Sequence, residues 1–200
     1  MTDLGGFWSK PSEVVAPALL GWSLTHVTAD GAVRVRLTEV EAYAGEADPA
    51  SHAFRGTTRR NEVMFGAAGH LYVYLSYGMH WCANVVVGRE GVASAVLLRA
   101  GRVVEGVELA RSRRGARTAD RSLARGPACL TQALGIGREH DGAALLGGTG
   151  PLTLAYDERP PAVSAGPRVG VSRAAGVPWR FWVTGDETVS AYKRSPAPGS

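Results

Sequence analysis

The sequence predicts an α+β fold: one domain over residues 1–200 with a curved, mostly antiparallel β-sheet, a protruding β-hairpin and peripheral helices. Three observations support this. Leu71, Val73 and Leu75 alternate with Tyr72, Tyr74 and Ser76 ahead of Tyr77-Gly78, the period-two pattern of a half-buried strand entering a tight turn. Further apolar segments follow across short Gly-containing turns, which join antiparallel neighbours. Segments with helical character are few and short.

Residues 1–11 are expected to be a loose start and 195–200 a flexible tail. Ser12–Leu20 reads as a short helix with Val14, Val15, Ala18 and Leu19 on one side and Gly21 as its stop; Pro17 opposes it. Ala32–Tyr43 reads as a strand. Val33, Val35 and Leu37 share one parity, but Val40 and Ala42 fall on the other, which predicts a bulge or two-sided burial near residues 38–40. Residues 44–66 form a long Gly- and Arg-rich connection, of a length that is usually functional or disordered. In the hairpin, Tyr77-Gly78 predicts a two-residue turn with Gly at positive φ. Val85–Val87, the turn Gly88–Gly91 and Val92–Arg99 extend the sheet as buried strands. Val104–Arg114 reads as a helix. Ala128–Leu134 reads as another, opened by Gly126-Pro127. Gly137–Gly150 reads as a loop, followed by short strands at Leu152–Leu154, Arg168–Val171 and Arg180–Val183.

An apolar fraction of 45% in 200 residues is enough for a real core. The formal charge is +4, and 20 of the 22 basic residues are Arg, with Lys10 and Lys193 the exceptions. Arg suits bidentate phosphate contact, although a GC-rich genome explains the excess equally well. Cys82 and Cys129 are too few for a disulfide framework or a Cys-rich zinc site. No apolar run approaches the roughly 18 residues of a membrane span, and Met1–Lys10 lacks a signal-peptide core, so a cytoplasmic protein is expected.

Glu39 and Glu41 are two apart on one strand and share a face, roughly 6.5–7 Å apart. Buried together, each disfavours ionisation of the other, and one becomes a candidate base. An ordinary pair of surface acids balanced by Arg34 or Arg36 is the competing possibility, and pattern alone leaves both open. His52, His70 and His80 match no compact metal-ligand spacing. Cys82, in mid-strand, reads as a small core residue and not a nucleophile. Tyr72 and Trp81 read as core, whereas Tyr77 is exposed by its place in the turn. An exposed Tyr, the segment Arg111, Arg113, Arg114, Arg117, Arg121 and Arg125, and the Arg-bearing loop together point to a nucleic-acid binder with a candidate carboxylate.

Four blocks closely resemble the alkyladenine (3-methyladenine) DNA glycosylase family. They are Thr38-Glu39-Val40-Glu41-Ala42-Tyr43, Asp48-Pro49-Ala50-Ser51-His52, Arg60-Asn61-Glu62-Val63-Met64-Phe65, and Gly69 through Met79. Val96–Ala100, Gly126-Pro127 and Pro167–Val171 fit its later blocks, and the resemblance runs from about residue 12 to 192. It implies a bacterial enzyme that flips damaged purines out of duplex DNA and hydrolyses the N-glycosidic bond, with no metal and no cofactor. Carried over residue by residue, Glu41 is the general base, and Arg99 and the Val169 backbone hold the attacking water. Tyr43, His52 and Tyr74 sandwich the flipped base, and Asn84 crowds the 2-amino group of guanine. Ala50, Met64 and Leu97 line the pocket. Tyr77 is the wedge, with Met79 beside it, and Arg59, Arg60, Arg111, Arg113 and Arg114 are expected at phosphates. Ala128 and Cys129 stand where the family often has a hydroxyl and a Lys, and the Pro often seen before Arg60-Asn61 is missing.

A backbone-cutting glycosylase uses an amine for a Schiff base. With both lysines at the chain ends, a monofunctional enzyme is expected, acting as a monomer on double-stranded DNA that contains damaged purines, with no membrane partner and a place at the bacterial nucleoid. The alternatives are a non-catalytic binder of damaged or distorted DNA and an RNA-binding or tRNA-modifying domain.

Overall fold

The computed structural model describes residues 4–148, 150–160 and 162–195. Two short helices open it, α1 (Leu4–Trp8) and α2 (Ser12–Ala18). Of the expected loose start the structure describes residues 4–11, and there Leu4–Trp8 is helix and not loose chain. Trp8 is buried, its ring edge-on to Phe7 and Trp22 at 5.0 and 5.4 Å, and this aromatic group joins the main core. The tail beyond Ser195 lies outside the described residues.

The sheet consists of β1 (Trp22–Thr28), β2 (Gly31–Tyr43), β3 (Leu71–Ser76), β4 (His80–Val86), β5 (Ala95–Glu105), β6 (Ala124–Arg125), β7 (Leu152–Tyr156), β8 (Val163–Gly166) and β9 (Arg180–Val183). Its spatial order is β3-β4-β5-β2-β1-β7, with β6 on β5 and the β8–β9 pair on β2, and the described pairings are antiparallel. Helices α3 (Val107–Arg114) and α4 (Pro127–Leu134) complete the α+β fold. The main core packs α2 and α4 against one face through Val15, Leu19, Leu130 and Leu134 on Leu37, Val40, Leu71, Val85, Val96 and Leu98.

The parity slip in β2 is a bulge. Register shifts fall between Leu37 and Glu39 and between Glu39 and Val40. There β2 exchanges β1, which pairs as far as Arg36, for β9, which pairs with Glu39–Glu41. A bulge re-aims the side chains beyond it, so Val40 and Ala42 turn into the core while Glu39, Glu41 and Tyr43 take the opposite face.

Several expected boundaries move. β1 was missed, although Leu24, Thr25, Val27 and Thr28 lead into Asp30-Gly31, a hairpin signal obscured by Ser23 and His26. Val85 and Val86 continue β4, and β5 starts at Ala95 and runs to Glu105, so α3 begins at Val107 and not Val104. Arg168–Val171 is a turn, not a strand: Gly170 has φ +70 and Arg168 is drawn inward, while the partner of β9 is β8.

The connection 44–66 is ordered around two single 3-10 turns, Gly45–Ala47 and Glu62–Phe65. Gly45 starts it at φ +58, where an added Cβ would sit 2.0 Å from the Ala93 carbonyl oxygen. Gly45→Ala is therefore expected to destabilise the fold by about 2–3 kcal/mol, read as a lower urea midpoint with an unchanged slope.

Candidate active site

The ladder aligns five residues in one row across five strands. Tyr72 of β3 pairs with Asn84 of β4, Asn84 with Leu97 of β5, Leu97 with Glu41 of β2, and Glu41 with Arg180 of β9. Residues two positions along each strand share that face. Tyr74, Cys82, Arg99, Glu39 and Tyr43 therefore join the row on the side away from the main core. Over it lies a cleft of about 820 Å³, walled by the 44–66 connection, the hairpin, Pro127 and Val169–Arg173.

Glu39 and Glu41 are both fully buried, so neither is a surface acid balanced by Arg34 or Arg36. Their surroundings differ. Glu39 Oε1 accepts from Arg99 Nε at 2.7 Å, Arg180 Nε at 2.7 Å and Ser190 Oγ at 2.9 Å, and Oε2 accepts the Ser190 amide at 2.6 Å. Burial opposes its charge, but Arg99, the Ser190 amide and Arg180 outweigh it and hold this carboxyl below the ordinary range. Glu41 Oε1 accepts the Val169 amide at 2.7 Å and faces Arg99 Nη1 at 3.4 Å, and Oε2 accepts the Tyr43 hydroxyl at 2.9 Å. These contacts do not offset the loss of water, and burial raises its carboxyl above the ordinary value. Two acids on one strand are thus driven apart, Glu39 held low and Glu41 raised, which makes Glu41 the candidate of the two for proton exchange.

Tyr43, Arg99 and Val169 line the cleft, with Glu41 behind them. Burial and the Glu41 carboxylate push the Tyr43 phenol well above its ordinary range, so it remains a donor. Opposite, the His52 ring stands edge-on to Tyr74 at 4.5 Å, and its Nδ1 is 3.3 Å from the Tyr72 hydroxyl. Partial desolvation, then the charge of Arg60, lower the His52 imidazole and favour its neutral form at pH 7. Tyr72 and Tyr74 stack with centroids 5.6 Å apart, and burial pushes the Tyr72 phenol up to about 12. Asn84 is buried, its Nδ2 donating to the Tyr72 carbonyl at 3.1 Å, which fixes the amide at the floor. Ala50, Met64 and Leu97 line the same space. Burial raises the Cys82 thiol, so although it borders the cleft it is not a ready nucleophile.

The hairpin tip overhangs the cleft. The Met79 amide donates to the Ser76 carbonyl at 3.1 Å around Tyr77 and Gly78, but the ladder resumes only at Ser76–His80, so three residues and not two separate the strands. Tyr77 has φ +49 and is 88% exposed, and Met79 is 71% exposed. Left-handed backbone in a tyrosine costs about 1 kcal/mol or more, and nothing here buries its ring in return. Arg60 Nη2 braces the tip through the Leu75 carbonyl at 3.0 Å.

The other basic residues divide. Arg59 is exposed in the same loop. Arg111 bonds Asp120 and the Thr118 carbonyl at 2.7 Å each, Arg113 bonds the Ala133 carbonyl at 3.2 Å, and Arg114 bonds the Leu123 carbonyl at 2.9 Å. These three tie α3 to its surroundings and do not line the cleft. Sequence reasoning missed Arg55, Phe54 and Arg173, which do line it, and Arg180 and Ser190, which hold Glu39. The Arg-bearing loop and the residues just after Pro167–Val171 were the available signals. His52, His70 and His80 do not converge: among the described residues no three His, Cys, Asp or Glu are grouped to hold a metal ion. Lys193 is not remote, since its carbonyl accepts the Gly170 amide at 3.0 Å beside the cleft. Among the described residues no helix is long and apolar enough to cross a membrane.

The sequence model of the family described as methylpurine-DNA glycosylase (MPG) matches residues 6–187. A Streptomyces avermitilis protein named "Putative 3-methyladenine DNA glycosylase" is 54% identical over 191 residues, covering 94% of this chain and 90% of its own length. Proteins of the same name from Leifsonia xyli subsp. xyli and Chlorobaculum tepidum are 54% and 45% identical. They cover 92% and 99% of this chain, and 89% and 95% of their own.

A carboxyl raised by folding favours the folded state below its ordinary value of 4.5 and loses that contribution as pH rises through the raised value. Glu39, lowered by folding, works in the opposite sense and is common to parent and variant. Glu41→Gln removes only the first effect. It is expected to melt above the parent at pH 8, with the gap closing as pH falls toward 4, measured by thermal unfolding across pH.

Proposed function

Because this chain belongs to the methylpurine-DNA glycosylase family, we propose that it turns an alkylated or deaminated purine out of duplex DNA into this cleft and hydrolyses its N-glycosidic bond with a water activated by Glu41. One observation carries the proposal. A buried carboxylate of raised proton affinity sits with an arginine and a backbone amide under an aromatic cleft, and no Asp or Glu is among the described residues that line that cleft. A surface that attracts DNA and keeps a protected base beneath it needs that combination.

For an alkylated purine the chemistry balances with water alone. Glu41 takes a proton as the water oxygen attacks the anomeric carbon, and the bond to the purine nitrogen breaks with its electron pair on the base. A 3- or 7-alkylated purine is already cationic and leaves neutral, so no second carboxyl is needed to protonate it, in contrast to ordinary glycoside hydrolysis. The carboxylate also stabilises the oxocarbenium-like transition state. Arg99 and the Val169 backbone hold the water against Glu41. Tyr43, His52 and Tyr74 offer ring faces that attract an electron-poor base as they attract a cation. Asn84 rejects the 2-amino group of guanine, and Ala50, Met64 and Leu97 complete the fit. Tyr77 enters the stack in place of the base, with Met79 flanking, while Arg59 and Arg60 meet phosphates. The enzyme is monofunctional and works as a monomer.

Base release from methylated duplex DNA without added metal tests this. The parent is expected to free 3-methyladenine, and Glu41→Gln to lose about 100-fold or more. Lesion binding without release by the parent would favour a damage-binding protein. Borohydride is expected to trap no covalent adduct, and trapping that is lost in Lys193→Ala would make the enzyme bifunctional. Tyr77→Ser should slow release of a paired lesion more than of one already unpaired. Rates equal to the parent's on both would remove Tyr77 from the wedge role.

A further inference from the structure

Behind the cleft wall lies a buried ion pair for which the chemistry above has no use. The Arg168 and Asp48 side chains are both fully inaccessible. Arg168 Nη1 and Nη2 donate to the two Asp48 oxygens, Nη2 at 2.9 Å, and Nη1 also donates to the Ala42 carbonyl at 2.9 Å. The guanidinium lies over the Tyr43 and Trp179 rings, 4.7 and 5.3 Å from their centroids. Asp48 in turn accepts the amides of Ala50 at 3.0 Å and Ala44 at 3.4 Å, which shapes the loop leading to His52.

Three chain segments therefore meet on one guanidinium, and each carries part of the site. The end of β2 carries Tyr43, whose hydroxyl bonds Glu41. The loop carries Ala50 and His52. The turn carries Val169, next to Arg168 in sequence, whose amide bonds Glu41. Stability does not account for the pair. Burying two charges costs about as much as their attraction returns, and Arg168 Nε has no hydrogen-bond partner. A planar fork gripping a carboxylate instead fixes both a distance and an angle.

We infer that Arg168 and Asp48 are positioning residues, a clasp that sets the spacing between Tyr43 and His52 and aims the Val169 amide at Glu41. The inference rests on the glycosylase reading of this site. Besides the Val169 amide, the groups bearing on Glu41 are Arg99 from β5, Glu39 and Tyr43 from its own strand, Tyr74 from β3, Cys82 from β4 and Arg168 itself. Loosening the clasp withdraws the Val169 amide and slackens the Tyr43 contact and the Arg168 charge, all of which favour the Glu41 anion, while Arg99, Glu39, Tyr74 and Cys82 stay on their own strands.

The test compares the full-length parent with Asp48→Asn, Arg168→Lys and a control, Leu134→Ala, whose buried side chain belongs to the main core. Asp48→Asn keeps an acceptor for Arg168, and Arg168→Lys keeps the charge without the fork. Folded fraction, lesion-DNA affinity, single-turnover base release and its pH profile are measured for each. The clasp variants are expected to lose about 10- to 100-fold in single-turnover rate, more than they lose in affinity. The ascending limb of their pH profile should move to higher pH. Leu134→Ala should lower the melting temperature and leave that limb in place. Clasp variants that lose rate only in proportion to folded fraction or affinity, with an unmoved limb, would overturn the positioning role alone. A folded parent that releases no base would overturn the glycosylase reading and the clasp with it.

Discussion

Burial of two carboxylates on one strand is the constraint that organises the rest of this molecule. Neither Glu39 nor Glu41 is exposed to bulk solvent, and each needs compensation from the protein. Compensation is unequal. Glu39 takes the close contacts of Arg99 and Arg180 and the whole of Ser190, while Glu41 has one amide, one hydroxyl and the looser side of Arg99. By anchoring Arg99, Glu39 leaves Glu41 ionisable in a dry place, the condition under which a carboxylate acts as a strong base.

That asymmetry depends on the sheet. The bulge at Leu37–Val40 reverses the parity of β2, so the acids leave the face packed by α2 and α4 and join a row running from Tyr72 to Arg180. Without it, the same strand would send Glu39 and Glu41 into the Leu and Val core. The bulge also marks the point where β9 replaces β1, and β9 brings Arg180 to Glu39. One irregularity thus places the acids and supplies their counter-charge.

Local patterns in the sequence carried the hairpin, the bulge, α2 and α4, because each is written in residues adjacent to one another. The family resemblance pointed to Asn84, Leu97 and Glu41 of the row, which the ladder joins from positions up to 56 residues apart, but Tyr72 reads only as core and Arg180 is passed over. What pattern could not supply was the state of the acids. Arg180, Ser190 and Arg168 lie 120 residues or more from the carboxylates they hold. No spacing rule links them. Likewise Arg111, Arg113 and Arg114 read as a basic stripe, but a charge run does not reveal whether its guanidinium groups face water or nearby carbonyls. β1 failed for a local reason: His26 is buried with its Nδ1 2.8 Å from the Leu134 carbonyl, and a buried polar residue breaks the apolar alternation that marks a strand.

The arginine excess acquires a different meaning once its partners are known. Arg34, Arg36, Arg99, Arg102, Arg111, Arg168 and Arg180 all bind carboxylates away from the open part of the cleft or beneath its floor. Those pairs absorb much of the chain's acid. Arg55, Arg60 and Arg173 line the cleft and form no salt bridge among the described residues. These three place positive charge at the cleft, where low-dielectric walls focus the field. For attracting a polyanion, what matters is the absence of neighbouring acids at the mouth and not the total number of arginines. Internal salt bridges that contribute little to stability therefore help to shape the surface that DNA would meet.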